Sequence, residues 1–460
     1  MYDLRTDDTI AAVSTPPGTG AIGIVRLSGP RARTIASRFF ISRTGKAGTW
    51  PERKAVFGNV RDPDSPDVLD EGFLVFFPAP RSYTRQDVIE ISLHGSPAVL
   101  DEVLRLAIKA GARLAHPGEF TLRAYWNGRL DILQAEAVDD LVRSVSLTQA
   151  RIASRQVRGG LTDTIGKLRA DFVELLADLE ASIEFPDDRM GIDERMILRR
   201  LDAIALRLEG LVRSYETGKA LSEGLTLAIV GRANVGKSTL FNVLLGESRA
   251  IVAPQAGTTR DYLRERLRID ETVFRLVDTA GMGRAETAVE REGIRRSLEQ
   301  AGDADGIIFL FDRSRPESAV DRDLLRRFRG KKAILVFNKS DRPSRLKSAA
   351  LKQAAPSCPA AAVSALTGAG IAELRRLIHD VFAPKAVAGE DIILHLRQKL
   401  ILEEMAVCVA AARVSLGRGG SFEIAAEEIR SALPAAERLL GTIRTDEVIQ
   451  NIFARFCVGK

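Results

Sequence analysis

The stretch that decides the fold is Leu225-Thr-Leu-Ala-Ile-Val230 running directly into Gly231-Arg-Ala-Asn-Val-Gly-Lys-Ser238. An apolar run of strand length leads into G-x-x-x-x-G-K-[ST], with a helix start behind it. Glycines let main-chain amides close around phosphate oxygens, Lys237 brings charge to the outer phosphates, and the Ser238 hydroxyl suits Mg2+. Asn234, Val235, Gly236, Lys237, Ser238 and Thr239 are therefore assigned to a bound nucleotide.

Three further pieces follow in order. Asp278-Thr279-Ala280-Gly281 ends the run F-R-L-V. There Asp278 can hold Mg2+ through water and the Gly281 amide can sense a γ-phosphate. Asn338-Lys339-Ser-Asp341 closes A-I-L-V-F. A carboxylate at 341 accepts from the ring N–H and the exocyclic amine of guanine, a donor pair that adenine lacks. Val363-Ser364-Ala365 ends the last run, where the Ala365 amide meets the guanine carbonyl. Four pieces in this order predict a GTPase domain. Where Ras-like enzymes place a water-orienting Gln after D-x-x-G, this chain has Met282, so hydrolysis needs help from elsewhere. Arg260 and Arg284 are arginine candidates for that help.

Working outward, strand-like runs at 225–230, 273–277, 306–311, 333–337 and 360–363 alternate with helical stretches, which predicts a mostly parallel sheet covered on both faces. Helical periodicity flanks this segment. Leu130, Leu133, Ala137, Leu141 and Val145 recur at three- and four-residue steps, as do Leu168, Phe172, Leu175, Leu179 and Ile183 until Pro186. A further run spans about 193–219, and 392–416, 422–440 and 445–456 continue the pattern. Residues 222–383 thus read as a Ras-like P-loop G domain inserted into one helical bundle made of 127–221 and 384–460. Residues 1–126 alternate short apolar runs (21–27, 73–77, 88–93) with turn clusters, an α+β domain with one or two helices. The chain is a multidomain α+β and α/β protein.

Composition agrees. In 460 residues, 45% are hydrophobic and 28% charged, a globular rather than disordered profile. No apolar run approaches a membrane span, and the best, Gly306 to Phe311, is strand-sized. The N-terminus lacks a secretory layout, and three cysteines and four histidines show neither disulfide nor zinc spacing, so a reduced, cytoplasmic setting is expected. The net charge of +6 suggests nucleic acid, but its excess lies within 222–383. Gly18-Thr-Gly20-Ala-Ile-Gly23 spells a dinucleotide fingerprint. A Pro-Pro pair precedes it and a β-like run follows, so that reading is rejected.

The chain resembles the MnmE (TrmE) family of tRNA-modification GTPases over its full length. The resemblance is carried by T-P-P-G-T-G-A-I-G-I-V-R (15–26), P-G-E-F-T-L-R-A (117–124), N-G-R-L-D-I-L-Q-A-E-A (127–137), E-F-P-D-D (184–188), A-G-T-T-R-D (256–261) and the terminal Cys457-Val-Gly-Lys460. It implies a K+ ion that does the work of an arginine finger, with Asn234 as side-chain ligand. Ala253, Gln255 and Thr258 correspond to its loop ligands, and Thr259 joins Ser238 on Mg2+. A fixed cation of this kind neutralises charge developing between phosphates. Glu290 corresponds to the residue that positions the attacking water when two G domains meet, so Glu290, Lys237 and Thr259 are the catalytic assignments. The resemblance also implies an N-terminal domain that dimerises and binds 5-formyltetrahydrofolate or a related one-carbon folate through Arg26, Glu90, Arg129 and Lys460. Arg129 stands where relatives commonly carry Lys. Partners implied are a homodimer, an FAD-dependent MnmG protein in a heterotetramer, and tRNA, whose wobble uridine receives an aminomethyl or carboxymethylaminomethyl group. Two other functions compete: a ribosome-assembly switch of the Era or Der kind, and a folate-binding scaffold with a regulatory GTPase.

Overall fold

The computed structural model describes residues 7–43, 48–184, 194–246, 265–270, 272–278, 288–384, 391–417 and 421–442, with 449, 452–453, 456 and 458–459. Contacts divide the chain into two compact units: residues 1–143, 153–209 and 400–460, and residues 144–152 and 210–399.

In the first unit, short β-rich runs between turn clusters form a seven-stranded sheet. Its spatial order is Phe40–Ser42, Ala55–Arg61, Val68–Phe77, Val88–Gly95, Gly20–Ser28, Ile10–Val13, Arg113–Leu114. All pairings are antiparallel except the last. Val25, Leu27, Leu74, Ile89 and Ile91 alternate onto one face and pack there with Leu100, Val103 and Leu106 of the helix Pro97–Lys109. Glycine at 23 permits that approach, since a Cβ would lie 2.4 Å from Leu100 Cδ1. Among the described residues between 1 and 126 there are three helices, not one or two: Ala32–Ala36, Pro97–Lys109 and Glu119–Trp126. The third is poorly legible because its buried residues include charged ones. Buried Glu119 and Arg123 pair with each other, and both join the half-buried Asp8 and Arg113 in one network. Burial alone would push the Asp8 and Glu119 carboxyls up. Hydrogen bonds from Arg113, joined on Asp8 by Arg123, outweigh burial and hold both below their ordinary values.

The helical part of this unit follows from spacing. Leu161, Ile165, Leu168, Phe172, Leu175 and Leu179 are buried at alternating four- and three-residue steps on the helix Gly160–Glu184. Ile197, Leu201, Ile204 and Leu208 repeat that step on Glu194–Glu223, Leu402, Met405, Val409, Ala412 and Leu416 on Leu396–Gly417, and Ala425, Ile429, Ala432, Ala436 and Leu439 on Phe422–Leu440. A three-four alternation keeps each apolar seam facing its neighbours, the geometry of four-helix bundles. Ion pairs mark the neighbours around the ring: Arg200 with Glu174, Arg413 with Asp202, Arg438 with Glu404, and Arg169 with Glu437. Segments before and after the G domain therefore share one bundle. The first helical stretch is broken into Ile132–Arg143 and Leu147–Val157, and the expected helix 445–456 lies mostly outside the described residues.

The second unit holds a six-stranded sheet ordered Ala360–Ala362, Ala333–Asn338, Gly306–Asp312, Leu225–Val230, Thr272–Asp278, Glu265–Ile269. It is parallel except for Glu265–Ile269, an antiparallel edge strand absent from the sequence reading because Glu-Arg-Leu-Arg-Ile alternates charge with only two apolar residues. The inner strands alternate between two cores. Ile229, Ile308, Leu310 and Val336 face Leu240, Leu374 and Ile378, whereas Val230, Phe309, Phe311 and Leu335 face Leu324, Phe328 and Leu351. No helix among the described residues is long and apolar enough to cross a membrane.

Candidate functional site

The strand Leu225–Val230 lies inside the sheet. Thr272–Asp278 pairs with it on one side, and Gly306–Asp312, the later of the two in sequence, pairs on the other. Such a reversal opens a crevice at the carboxyl ends of parallel strands, where open α/β sheets take ligands. Gly231–Gly236 fills that crevice and leads into the helix Lys237–Gly246. Lys237 is 6% exposed, and its Nζ donates to the carbonyls of Gly231 at 3.0 Å and Arg232 at 2.9 Å. The lysine is thus held across the mouth of its own loop. Two residues of the loop have left-handed backbone, Asn234 at φ 63° and Gly236 at φ 98°. A Cβ on Gly236 would stand 2.4 Å from Asn338 Nδ2, so only glycine fits there.

The base side is braced to this loop. Asn338 Nδ2 donates to the Val235 carbonyl at 2.8 Å, while its Oδ1 accepts from the Ala365 amide at 3.0 Å. One buried side chain thereby joins three of the four motif segments. Lys339 Nζ donates to the Asn234 carbonyl at 2.9 Å and to Asp312 Oδ2 at 2.6 Å. The Ser364 hydroxyl donates to Asp341 Oδ1 at 2.6 Å, a bond that holds the Asp341 carboxyl below its ordinary value and therefore ionised. An ionised, oriented carboxylate is what recognition of two guanine donors requires. Ser238 and Thr239 open the helix behind the loop.

Asp312 is a site residue the motif reading missed. It ends the all-buried strand Gly306–Asp312 and is 1% exposed. Burial pushes its carboxyl up, but bonds from Lys339 and Ser314 outweigh that and hold it low. Its signal was available: a lone Asp closes an apolar strand at the same edge as the other motifs. Asp278 ends its own strand opposite Ile229, and Glu290 falls within the helix Ala288–Asp303, but neither side chain is described. Ala253, Gln255, Thr258, Thr259, Thr279, Ala280, Gly281, Met282, Arg260, Arg284, Cys457 and Lys460 lie outside the described residues.

A second site occupies the first unit. Arg26, Glu90 and Arg129, distant in sequence, line one cavity of about 740 Å³ together with Arg53, Arg81, Tyr83 and Arg85. Arg26 and Glu90 sit opposite each other on paired strands, and Arg26 Nε donates to Glu90 Oε1 at 2.9 Å. The guanidinium of Arg129 lies 4.8 Å from the centre of the Tyr83 ring, and Arg26 lies over Phe120 at 5.5 Å. Aromatic faces beside cations suit a flat heteroaromatic ligand with an anionic end. The sequence reading missed Arg53, Arg81 and Arg85, which sit in loops without motif character.

Comparison with known proteins is consistent across the chain. The protein-family model for the MnmE helical domain matches residues 132–457, and that described as the GTP-binding protein TrmE N-terminus matches 9–129. The tRNA modification GTPase MnmE of Syntrophus aciditrophicus is 39% identical over 98% of this chain and 99% of its own length. That of Geobacter metallireducens is 38% identical over 99% of each. Among solved structures, an Era variant from Aquifex aeolicus bound to GDP and an aluminium fluoride is 26% identical over 40% of this chain and 66% of its own, with a TM-score of 0.29.

Proposed function

The chain belongs to the MnmE family of tRNA-modification GTPases, and from that premise we propose that K+-activated GTP hydrolysis, coupled to pairing of two G domains, drives addition of an aminomethyl or carboxymethylaminomethyl group to the wobble uridine of certain tRNAs. It is a GTP-hydrolysing enzyme of tRNA modification, as its end-to-end relatives are named. The Era- or Der-like switch gives way to this reading, because kinship extends over both compact units and not the G domain alone. The reaction is shared with an FAD-dependent MnmG partner, and the protein is a cytoplasmic homodimer joined through residues 1–126. Residues 127–221 with 384–460 form the helical domain, and 222–383 the G domain.

The observation that carries the reading is the braced loop. Asn338 ties the phosphate loop to the base pocket, so phosphates and guanine are read by one rigid assembly. Lys237 exchanges its loop carbonyls for phosphate oxygens, and the Asp341 carboxylate takes the guanine donors. Ser238 and Thr259 fit Mg2+ as hard oxygen donors. Asn234 is exposed at the loop, with its carbonyl held by Lys339. Its amide oxygen, with Ala253, Gln255 and Thr258, suits a monovalent cation. Bound there, K+ supplies positive charge where the β–γ bond breaks. Glu290 orients the attacking water, the task that Met282 cannot perform.

The cavity in the first unit fits a one-carbon folate. Its volume lies within the roughly 300–1,000 Å³ usual for small-molecule sites. Glu90 offers a carboxylate for the amino-pyrimidine edge, and Arg26, Arg129 and Lys460 offer charge for the carboxylate end.

The test is the GTP hydrolysis rate in KCl against NaCl across protein concentration. K+ stimulation that rises with concentration, and its loss in Asn234→Ala with GTP binding retained, is expected. Equal rates in both salts sink the cation assignment.

A further inference from the structure

The cavity of the first unit carries more positive charge than an ordinary folate can use. Among the described residues, five arginines line it against one carboxylate, Glu90. Arg26 is neutralised by Glu90, and Arg81 by Glu52 at 2.6 Å. Arg53, Arg85 and Arg129 have no acidic partner among the described residues. Each is instead tethered by a main-chain carbonyl: Arg53 to that of Arg81, Arg85 to that of Asn127 at 2.9 Å, and Arg129 to that of Ser82 at 3.2 Å. A carbonyl fixes a guanidinium without cancelling its charge, leaving its other N–H groups for anions. Arg53 and Arg85 also adopt left-handed backbone, at φ 54° and 59°. Non-glycine residues held there carry backbone strain, and such strain collects where ligands are gripped.

We infer that this rim binds the oligo-γ-glutamyl tail of its folate, so the site selects carriers with at least a second glutamate. The inference rests on the folate reading of the cavity. A folate with a single glutamate ends in two carboxylates, and each further γ-linked glutamate adds one. With Arg129 given to the first glutamate, Arg53 and Arg85 are left without an anion by the single-glutamate form. Arg53 and Arg85 are exposed, so each added ion pair contributes modestly, a factor of about 2–5. The preference is salt-sensitive for the same reason.

The experiment measures the affinity of the full chain for 5-formyltetrahydrofolate with one and with three glutamates, at low and high KCl. The triglutamyl form is expected to bind about fivefold or more tightly at low salt, with the gap narrowing as salt rises. Replacing Arg53 and Arg85 together with Gln should bring triglutamyl affinity down to the monoglutamyl level, at an unchanged unfolding midpoint. Equal affinity of the two forms for the unaltered protein overturns the inference and leaves the folate site standing. If neither form binds, the folate reading fails and takes the inference with it. If the double variant keeps its tail preference and loses tRNA affinity instead, the rim belongs to RNA phosphates and the inference is wrong.

Discussion

In the nucleotide site almost every polar group already has a protein partner. Lys237 is held by two carbonyls, Asn338 by Val235 and Ala365, Asp341 by Ser364, and Lys339 by Asp312 and Asn234. In the arginine-lined cavity most cations are tethered by one carbonyl each and are left with charge to spare. Both regions concentrate backbone strain: of the five non-glycine residues at positive φ among those described, two lie in the first and two line the second. The difference is one of construction. The first is a preformed mould whose parts brace one another, where a single change propagates. The second is an adaptable rim on a stiff support, where changes at the rim stay small and changes in the support do not.

The comparison breaks most readily at Asp341. Asp341→Asn should weaken GTP by about a thousandfold or more while xanthine nucleotides gain, because the amide presents a donor where guanine also donates. Nucleotide titration decides it, and retained GTP affinity would place the base pocket elsewhere. Next in size is the support of the cavity. Arg123→Met removes the buried cation and leaves Glu119 and Asp8 paired with Arg113 alone, and should cost the first unit about 2–3 kcal/mol with folate affinity falling alongside. Both tryptophans, Trp50 and Trp126, belong to this unit, so their fluorescence reports its unfolding. A denaturation midpoint that does not move shows the network to be dispensable.

Gly236→Ala tests the mould itself. It forces a Cβ against Asn338 at φ 98°, at roughly 1–3 kcal/mol. GTP affinity should fall at least several-fold with folate binding untouched; an unaffected nucleotide affinity shows that the loop can relax. The smallest effect is with pH. Folded Asp8 and Glu119 titrate below their unfolded values of about 3.9 and 4.3. Their contribution is therefore present above about pH 4 and fades as pH falls through the folded values. Asp8→Asn should flatten that part of the acid profile read by tryptophan fluorescence, and an identical profile refutes it.

The two sites differ in legibility for the reason they differ in build. Phosphate and guanine recognition needs main-chain shape next to a few side chains, so its residues fall in contiguous runs at strand ends. Bundle helices are legible too, since a three-four alternation survives in any sequence that buries one seam. The cavity draws Arg26, Glu90 and Arg129 from elements far apart in sequence, and only an antiparallel pairing places Arg26 opposite Glu90. Spacing carries no trace of that register, so those residues came through resemblance alone. The helix Glu119–Trp126 stayed hidden because its buried charges break the apolar pattern.

The strand Gly306–Asp312, buried at every position, has a consequence for handling the protein. Ile307-Ile-Phe-Leu-Phe311 has no charge and no proline, the composition that seeds intermolecular β-stacking once released. Its safety depends on the sheet staying closed around it. A nucleotide bound at the carboxyl end of that sheet holds the closed form by mass action. Stripping nucleotide during purification therefore invites precipitation, and GDP in the buffer acts as a preservative.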